Sequence, residues 1–413
     1  MAYCLLSLSQ DALNKPRNTE FPRVIIYLLL AFPFLISSCQ AQQQSSITGR
    51  IDLHEGWKPM VYLIQPGQFN EIVSDFRGSV IDSAEIKSDG HFAFNPITIP
   101  SEKTLLLIAI QKLGNRFPNH LVDDSPAQAN YIPFVLKQGE VIMLSADAAN
   151  FQQTCTFQNP SIENQSMVSL RDIRIKAFST FQSNQIEDVD NDTLLLEKED
   201  VYKAYVGKLM DFADTTSCFE AALVATRWVS PAGDYERMPE FFYGQCQKWN
   251  ARNPEHPFAR QLFAAADKTN LPVLVGDKFP DFALPLIDED TVLLSQLNGE
   301  KLTLVDIWAS WCAPCRKENR EVLLPLWNKY KDHGLQIIAY SIDNDQSSWS
   351  EAIRKDGATW KHASHLTGDA TPFMDAIRIS TIPANFILDE NGKVIAKNLY
   401  GDALKDYIAA RLQ

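Results

Sequence analysis

The 413-residue sequence is short of positive charge. Lys and Arg number 38 against 51 Asp and Glu, for a net charge of −13. Such a surface repels nucleic acid and anionic membranes, so no nucleic-acid partner is expected. Long apolar runs are also lacking. The uncharged, mostly apolar run Val24–Ile36 has only 13 residues, which is signal-peptide length and too short to span a bilayer comfortably. Cysteine is sparse. The seven thiols do not form the even, dense pattern that a disulfide scaffold requires. No internal repeat stands out. What is present is ample core material, with 45% apolar and 10% aromatic residues. The length suggests two or three domains.

The first 23 residues are polar and carry Lys15, Arg17 and Arg23 ahead of the apolar run. That run ends in Leu35-Ile36-Ser37-Ser38-Cys39, which resembles the lipobox of bacterial lipoproteins. The resemblance implies a signal peptide over residues 1–38 and a lipid on Cys39. Ordinary signal cleavage nearby, for instance after Ala41, is the alternative. Gln40 is not the aspartate associated with inner-membrane retention, which favours the outer membrane. Residues 39–46 then read as a polar tether.

Residues 47–158 read as β-rich. Short apolar runs such as Met60–Ile64, Leu105–Ile110 and Tyr131–Leu136 are separated by turn signals such as Gln65-Pro66-Gly67 and Ser88-Asp89-Gly90. Strands of that length and spacing suggest a sandwich-like all-β domain. It resembles the β-domain that often precedes thioredoxin-like domains in Gram-negative lipoproteins. His54, His91 and His120 are scattered through it and form no catalytic constellation. Cys155 shares strand parity with Phe151 and Phe157 and reads as a small core residue.

Residues 159–272 switch to helical period. Met167, Leu170, Ile173, Ala177, Phe178 and Phe181 share one face. Phe241, Phe242 and Trp249 read as packing between helices. Cys218 and Cys246 could bridge two helices, but sequence alone does not decide it. Leu271-Pro272 looks like the join to a last domain over residues 275–413. There strands alternate with helices and a hairpin turns at Asn391-Gly392, so a mixed sheet covered on both faces is expected.

That last domain holds the strongest chemical signal. The apolar strand Leu302–Trp308 runs into Ala309-Ser310-Trp311-Cys312-Ala313-Pro314-Cys315, and a helix is expected from about Arg316 to Tyr330. Backbone N–H groups at a helix start favour negative charge. The reacting form of cysteine is the thiolate, so Cys312 is the expected nucleophile, exposed at the helix start, and Cys315 the resolving thiol. Pro314 suits the first helical turn. A bare pair of this spacing also occurs in zinc sites. The only second pair of ligands on offer, His362 and His365, is distant in sequence, so no metal is expected.

The ordered set of motifs resembles the thioredoxin-like domain of the TlpA/ResA-type membrane-tethered thiol–disulfide oxidoreductases. The matching stretches are Gly276-x-x-x-Pro280-Asp281-Phe282, Val305 through Cys315, Arg316-Lys317-Glu318, Thr381-Ile382-Pro383 and Phe386 through Gly392. The resemblance implies a thioredoxin fold and no cofactor beyond a redox-active Cys312–Cys315 disulfide. It implies disulfide-containing clients, a membrane electron donor and a periplasmic setting, with cytochrome c maturation as the best-known context. Glu318 matches an acidic residue of the ResA-type members, and Asp306 the buried aspartate of thioredoxin itself. If both are buried, they share proton handling and titrate together. Pro383 maps to the family's cis-proline, and Ile382 would present its backbone to a substrate. Trp311 reads as a partly exposed lip of the site. Position 320 is Arg where many relatives place proline, and Pro325 is expected to kink the helix near residues 321–325.

Two other functions compete. A peroxiredoxin-like peroxidase would need a threonine and a proline where Ala309 and Val305 stand. A ligand-binding surface lipoprotein with an accessory thiol domain would place the main function in residues 47–270.

Overall fold

The computed structural model describes residues 44–99, 101–123, 125–183, 194–287 and 290–412. The expected signal segment and the lipid-attachment candidate Cys39 lie outside the described residues. No helix among the described residues is long and apolar enough to cross a membrane.

The first eight strands are β1 (Ser46–Asp52), β2 (Trp57–Gln65), β3 (Ser79–Glu85), β4 (His91–Ala93), β5 (Lys103–Lys112), β6 (Tyr131–Lys137), β7 (Val141–Asp147) and β8 (Thr156–Phe157). They form two four-stranded sheets, ordered β4-β1-β7-β8 and β3-β2-β5-β6. Strand β7 alternates strictly between exposed and buried positions, as a strand with one wet face must. Strand β5 does not. Its Leu106, Ile108 and Ile110 point into the sandwich beside Val61, Leu63 and Phe134. Its Leu105, Leu107 and Ala109 point the other way, into a second core. The run Leu105–Ile110 is continuously apolar because both faces of its sheet are covered.

The second cover is helical. Helices α1 (Phe151–Thr154), α2 (Ile162–Ser183), α3 (Leu195–Thr215), α4 (Phe219–Val229), α5 (Pro239–Arg252) and α6 (Pro257–Ala265) follow. Every residue of α4 is buried, as befits a helix apolar around most of its surface. Asn164 of α2 accepts from Val135 N–H at 2.8 Å and donates to Val135 C=O at 2.9 Å, covering the edge of β6. Sandwich and helices therefore make three layers with a shared middle sheet. Phe151 opens a helix rather than continuing a strand, so the parity assigned to Cys155 does not hold. Cys155 is buried all the same, and burial pushes its thiol up to about 12. Cys218 and Cys246 are separate free thiols, both buried.

The C-terminal domain begins with the hairpin β9 (Ala283–Pro285) and β10 (Thr291–Leu293). Then come β11 (Leu302–Trp308), α7 (Ala313–Glu318), a π-helical turn (Asn319–Leu323) and α8 (Leu324–Tyr330). β12 (Leu335–Ser341), α9 (Gln346–Asp356), β13 (Lys361–Ala363), α10 (Pro372–Ile377), β14 (Ala384–Asp389), β15 (Val394–Lys397) and α11 (Gly401–Leu412) complete it. The sheet order is β13-β12-β11-β14-β15, with β11 parallel to β12 and antiparallel to β14. Each face of this sheet carries its own core. Pro325 lacks an N–H and crowds the preceding turn, and the helix answers with the wider π turn just before it.

The join between the two parts is built in. Leu271 is buried among the helices and Val273 in the C-terminal core. Gly276 N–H donates to Val394 C=O at 2.8 Å, and Phe279 N–H to Gly392 C=O at 2.9 Å, so the entering chain runs along the β15 edge.

Candidate active site

Strand β11 is central and fully buried, and it delivers the chain to the sheet's carboxyl end. The turn that follows is held at two points. Ser310 donates through its N–H (2.8 Å) and its hydroxyl (2.6 Å) to the buried carboxylate of Asp343. Arg316 donates to Ser310 C=O at 3.1 Å. The Arg316 guanidinium also grips Asp356, whose side chain is 1% exposed, with Arg320 adding a second contact at 2.9 Å. Burial alone would raise the Asp356 carboxyl. The two guanidinium groups overcome that and hold it below its ordinary range.

Within this frame Cys312 and Cys315 form a disulfide, with Cα atoms 5.3 Å apart. Cys312 is the N-cap of α7, and its sulfur accepts from Cys315 N–H at 3.3 Å. The expected exposure of Cys312 is not observed. It is 5% exposed, because the sulfurs turn into the same core as Trp308, Ala309 and Val322. Trp311 beside it is 66% exposed. The Ile382–Pro383 peptide bond is cis, and Ile382 packs against the core that contains both sulfurs.

Two carboxyl groups lie behind the pair. Glu318 follows Cys315 by one turn, is 7% exposed, and accepts from Gly401 N–H at 2.9 Å. Burial pushes its carboxyl up to about 7 despite that hydrogen bond and the nearby Lys405 and Lys317. Asp306 on β11 is 5% exposed. Burial, and then the charge of Glu318, push it up to about 8. Neighbouring acids with raised pKa values can take up and return protons near neutral pH.

The structure brings Cys312, Cys315, Glu318, Asp306, Trp311, Ile382 and Pro383 to one place. His362 and His365 lie elsewhere. The His362 ring packs beside Trp308 and Trp360, with burial taking it down to about 4, and His365 hydrogen-bonds the Tyr340 hydroxyl at 2.7 Å. No metal-binding cluster occurs among the described residues.

Sequence reasoning missed several members of the site. Tyr400 donates to Pro383 C=O at 2.7 Å. Arg237, in the loop between α4 and α5, donates to the same carbonyl at 3.0 Å. Glu236 accepts from Ser380 N–H at 3.0 Å and Thr381 N–H at 2.9 Å. Lys317 pairs with Glu197 of α3 at 3.0 Å. The α4–α5 loop has no local pattern that could have revealed this role.

A disulfide between cysteines three residues apart, at the mouth of a thioredoxin-type sheet, is the arrangement of a thiol–disulfide oxidoreductase. Comparison with known proteins gives the same class. The family model described as Redoxin matches residues 274–408. The thiol-disulfide oxidoreductase ResA of a Bacillus cereus strain is 26% identical over 148 residues, which cover 36% of this chain and 81% of that protein. The thioredoxin-like protein YneN of Bacillus subtilis (strain 168) is 26% identical over 133 residues, covering 32% of this chain and 76% of YneN. Among solved structures, the thioredoxin domain of a thiol-disulfide oxidoreductase from Bacteroides vulgatus is 28% identical, with a TM-score of 0.32, covering 34% of this chain and 99% of that one. The similarity to Redoxin domains and to ResA-type thiol–disulfide oxidoreductases is thus confined to the C-terminal third of the chain.

Proposed function

We propose that the protein is a lipid-anchored reductase of disulfides in exported proteins, attached through Cys39 and facing the periplasm from the outer membrane. The observation that carries the chemical part is the Cys312–Cys315 disulfide backed by Glu318 and Asp306, two acids poised to exchange protons near neutral pH. The lipobox resemblance at Leu35–Cys39 and the envelope setting of the resembled family support the location. Maturation of cytochrome c is one context that fits.

The reaction is an exchange of disulfides. The Cys312 thiolate attacks one sulfur of a client disulfide. A Cys312–client bond forms, the client's own S–S bond breaks, and the departing thiolate takes a proton. Cys315 gives its proton to the carboxylate pair and attacks the Cys312 sulfur. The second client thiolate leaves and is protonated in turn. The client has gained two electrons and two protons, and the enzyme holds the Cys312–Cys315 disulfide. A membrane dithiol donor restores it by the same exchange in reverse.

Insulin reduction tests the reading. The reduced protein is expected to accelerate it, and Cys312→Ser to abolish the acceleration. No acceleration with Cys312 demonstrably free would reject the reading. Cys315→Ser is expected to strand the client on Cys312, so that mass spectrometry of the trapped species identifies it.

A further inference from the structure

Two connections of the sandwich meet, and both turn a phenylalanine outward. Phe76 lies between β2 and β3 and is 52% exposed, and Phe117 lies between β5 and β6 and is 50% exposed. Their rings meet edge to face with centroids 5.5 Å apart, and the His120 ring stacks on Phe76 at 5.0 Å. The connections brace each other. Phe76 N–H donates to Asn119 C=O at 3.1 Å, and the Asn119 side-chain amide donates to Gly78 C=O at 3.3 Å. Asp75 accepts from Leu121 N–H at 2.7 Å and pairs with His120 at 2.9 Å. Phe76 has φ 54°, in the left-handed region that a bulky side chain rarely adopts. The ring carried by this backbone is half in water, so core packing does not explain the conformation.

Each phenylalanine has an arginine beside it, in Phe76-Arg77 and Arg116-Phe117. Both arginines are exposed, and neither has a carboxylate partner among the described residues. Arg116 lies over the Phe117 ring at 5.6 Å. The acids of the β2–β3 connection are occupied, Asp75 as above and Glu71 by the N–H groups of Gly67 and Gln68. A basic, aromatic tip thus stands on a chain of net charge −13. The start of the described chain lies at the same end of the sandwich. Ser45 donates to Lys137 C=O at 2.8 Å. Lys137 pairs with Lys103 at the end of the sheet where Gln65 pairs with Ser79, just after Phe76 in the chain. The described chain starts at Gln44, five residues from Cys39. Fully extended, such a stretch reaches at most about 18 Å.

Phenylalanine settles at the boundary between headgroups and acyl chains, and a guanidinium binds phosphate through paired hydrogen bonds. Anionic lipid attracts cations that lack internal partners and repels the acidic remainder of the surface, so the field turns this end toward the bilayer. A stable protein partner needs a far larger surface than two phenylalanines offer. A chain already held at a membrane needs only a small second foothold, because its effective concentration there is high. We propose that Phe76, Arg77, Arg116 and Phe117 form a membrane-docking tip for an anionic phospholipid surface, with the rings among the headgroups and the guanidinium groups on phosphates. This rests on the lipid-anchor reading above for what brings the tip to the bilayer. It adds a fixed orientation of the sandwich, which a flexible tether alone does not supply.

The test uses the mature chain, residues 39–413, with Cys39→Ser, so that no lipid masks the contribution of the tip. The probes are vesicles of phosphatidylethanolamine and phosphatidylglycerol at about three to one, and vesicles of phosphatidylcholine alone. Sedimentation with the anionic vesicles is expected, weakening as salt is raised. Each arginine near an anionic surface favours binding about fivefold, so R77A/R116A is expected to bind those vesicles about 25-fold more weakly. F76S/F117S is expected to bind both kinds of vesicle about tenfold more weakly. Insulin reduction at the parent rate shows that each variant is folded. A second measurement leaves the protein untouched. In the native lipid-bearing protein, the amides of residues 74–78 and 115–120 are expected to exchange about tenfold more slowly on the anionic vesicles than on phosphatidylcholine. Equal binding of the parent and R77A/R116A, with equal exchange on the two vesicles, overturns the inference alone. Absence of binding by the parent, with equal exchange, overturns it too. An N-terminal peptide of the native protein without lipid on Cys39 overturns the anchor reading instead, and the binding of the Cys39→Ser chain then decides the tip.

Discussion

Asp306 and Glu318 face each other's charge from a strand and a helix, both buried and both with carboxyl groups raised to about 8 and about 7. Burial disfavours each anion, and the Glu318 anion further disfavours that of Asp306. Two buried carboxyl groups with pKa values raised to near neutrality thus accompany the disulfide, and in the proposed exchange they would take up and return the protons of its thiols.

Replacing Asp306 by Asn should raise stability in alkaline solution while slowing the enzyme. Both acids bind a proton more tightly in the folded chain than unfolded, where Asp306 returns to 3.8 and Glu318 to 4.5. The stability this confers is fully present below about pH 4 and is lost as pH rises through about 7 to 8. Melting curves should show the parent losing stability from pH 5 to pH 9. D306N should lose less and melt about 5 °C higher than the parent at pH 9. A parallel fall in both proteins would refute the assignment.

Glu318→Gln keeps an acceptor for Gly401 N–H but cannot take a proton. Formation of the mixed disulfide on Cys312 should be little affected, and its resolution by Cys315 should slow by about 100-fold. Rapid-quench thiol trapping followed by mass spectrometry separates the two steps. Equal slowing of both would argue against proton transfer to Glu318.

Asp356 anchors the helix that carries the sulfurs. Asp356→Asn leaves the Arg316 guanidinium half-buried without its counter-charge. Losing one partner of a fully buried pair costs about 3–5 kcal/mol, and partial exposure of both arginines reduces that to about 2 kcal/mol here. Urea unfolding monitored on the C-terminal domain measures it. A change below about 0.5 kcal/mol would show that the network does not hold the helix.

Leu107 points from the middle sheet into the helical layer. Leu107→Ala should cost about 3 kcal/mol. Hydrogen exchange should quicken in α2 and α4 as well as in β5, since they share that core. Quickening confined to the sandwich would mean that the helices fold independently of it.

The thiol site was largely legible because its chemistry is local. Cys312 and Cys315 are separated by one helical turn, and Glu318 by one more, so spacing places all three on one helix. Pro325 announced a disturbance in the helix, though not the π turn that accommodates it. The burial of Cys312 was not legible, because it depends on which residues of other elements close over the turn. The three-layer arrangement was half legible: the continuous apolar run of β5 marks burial on both faces, yet nothing in it says that helices rather than another sheet lie on the second.

Composition and spacing alone determined the redox pair, the strand and helix order of the last domain, and the residue types around the sulfurs, because these follow from short-range periodicity and from bonds within a few positions. The fold decided how Glu236 and Arg237 meet residues 380–383, pairings that span 144 to 146 positions. It also decided the meeting of Arg316 with Asp356 across 40. Those contacts arise only when separately coded surfaces pack together, and a charged residue in a polar loop carries no local mark of the backbone group it will find.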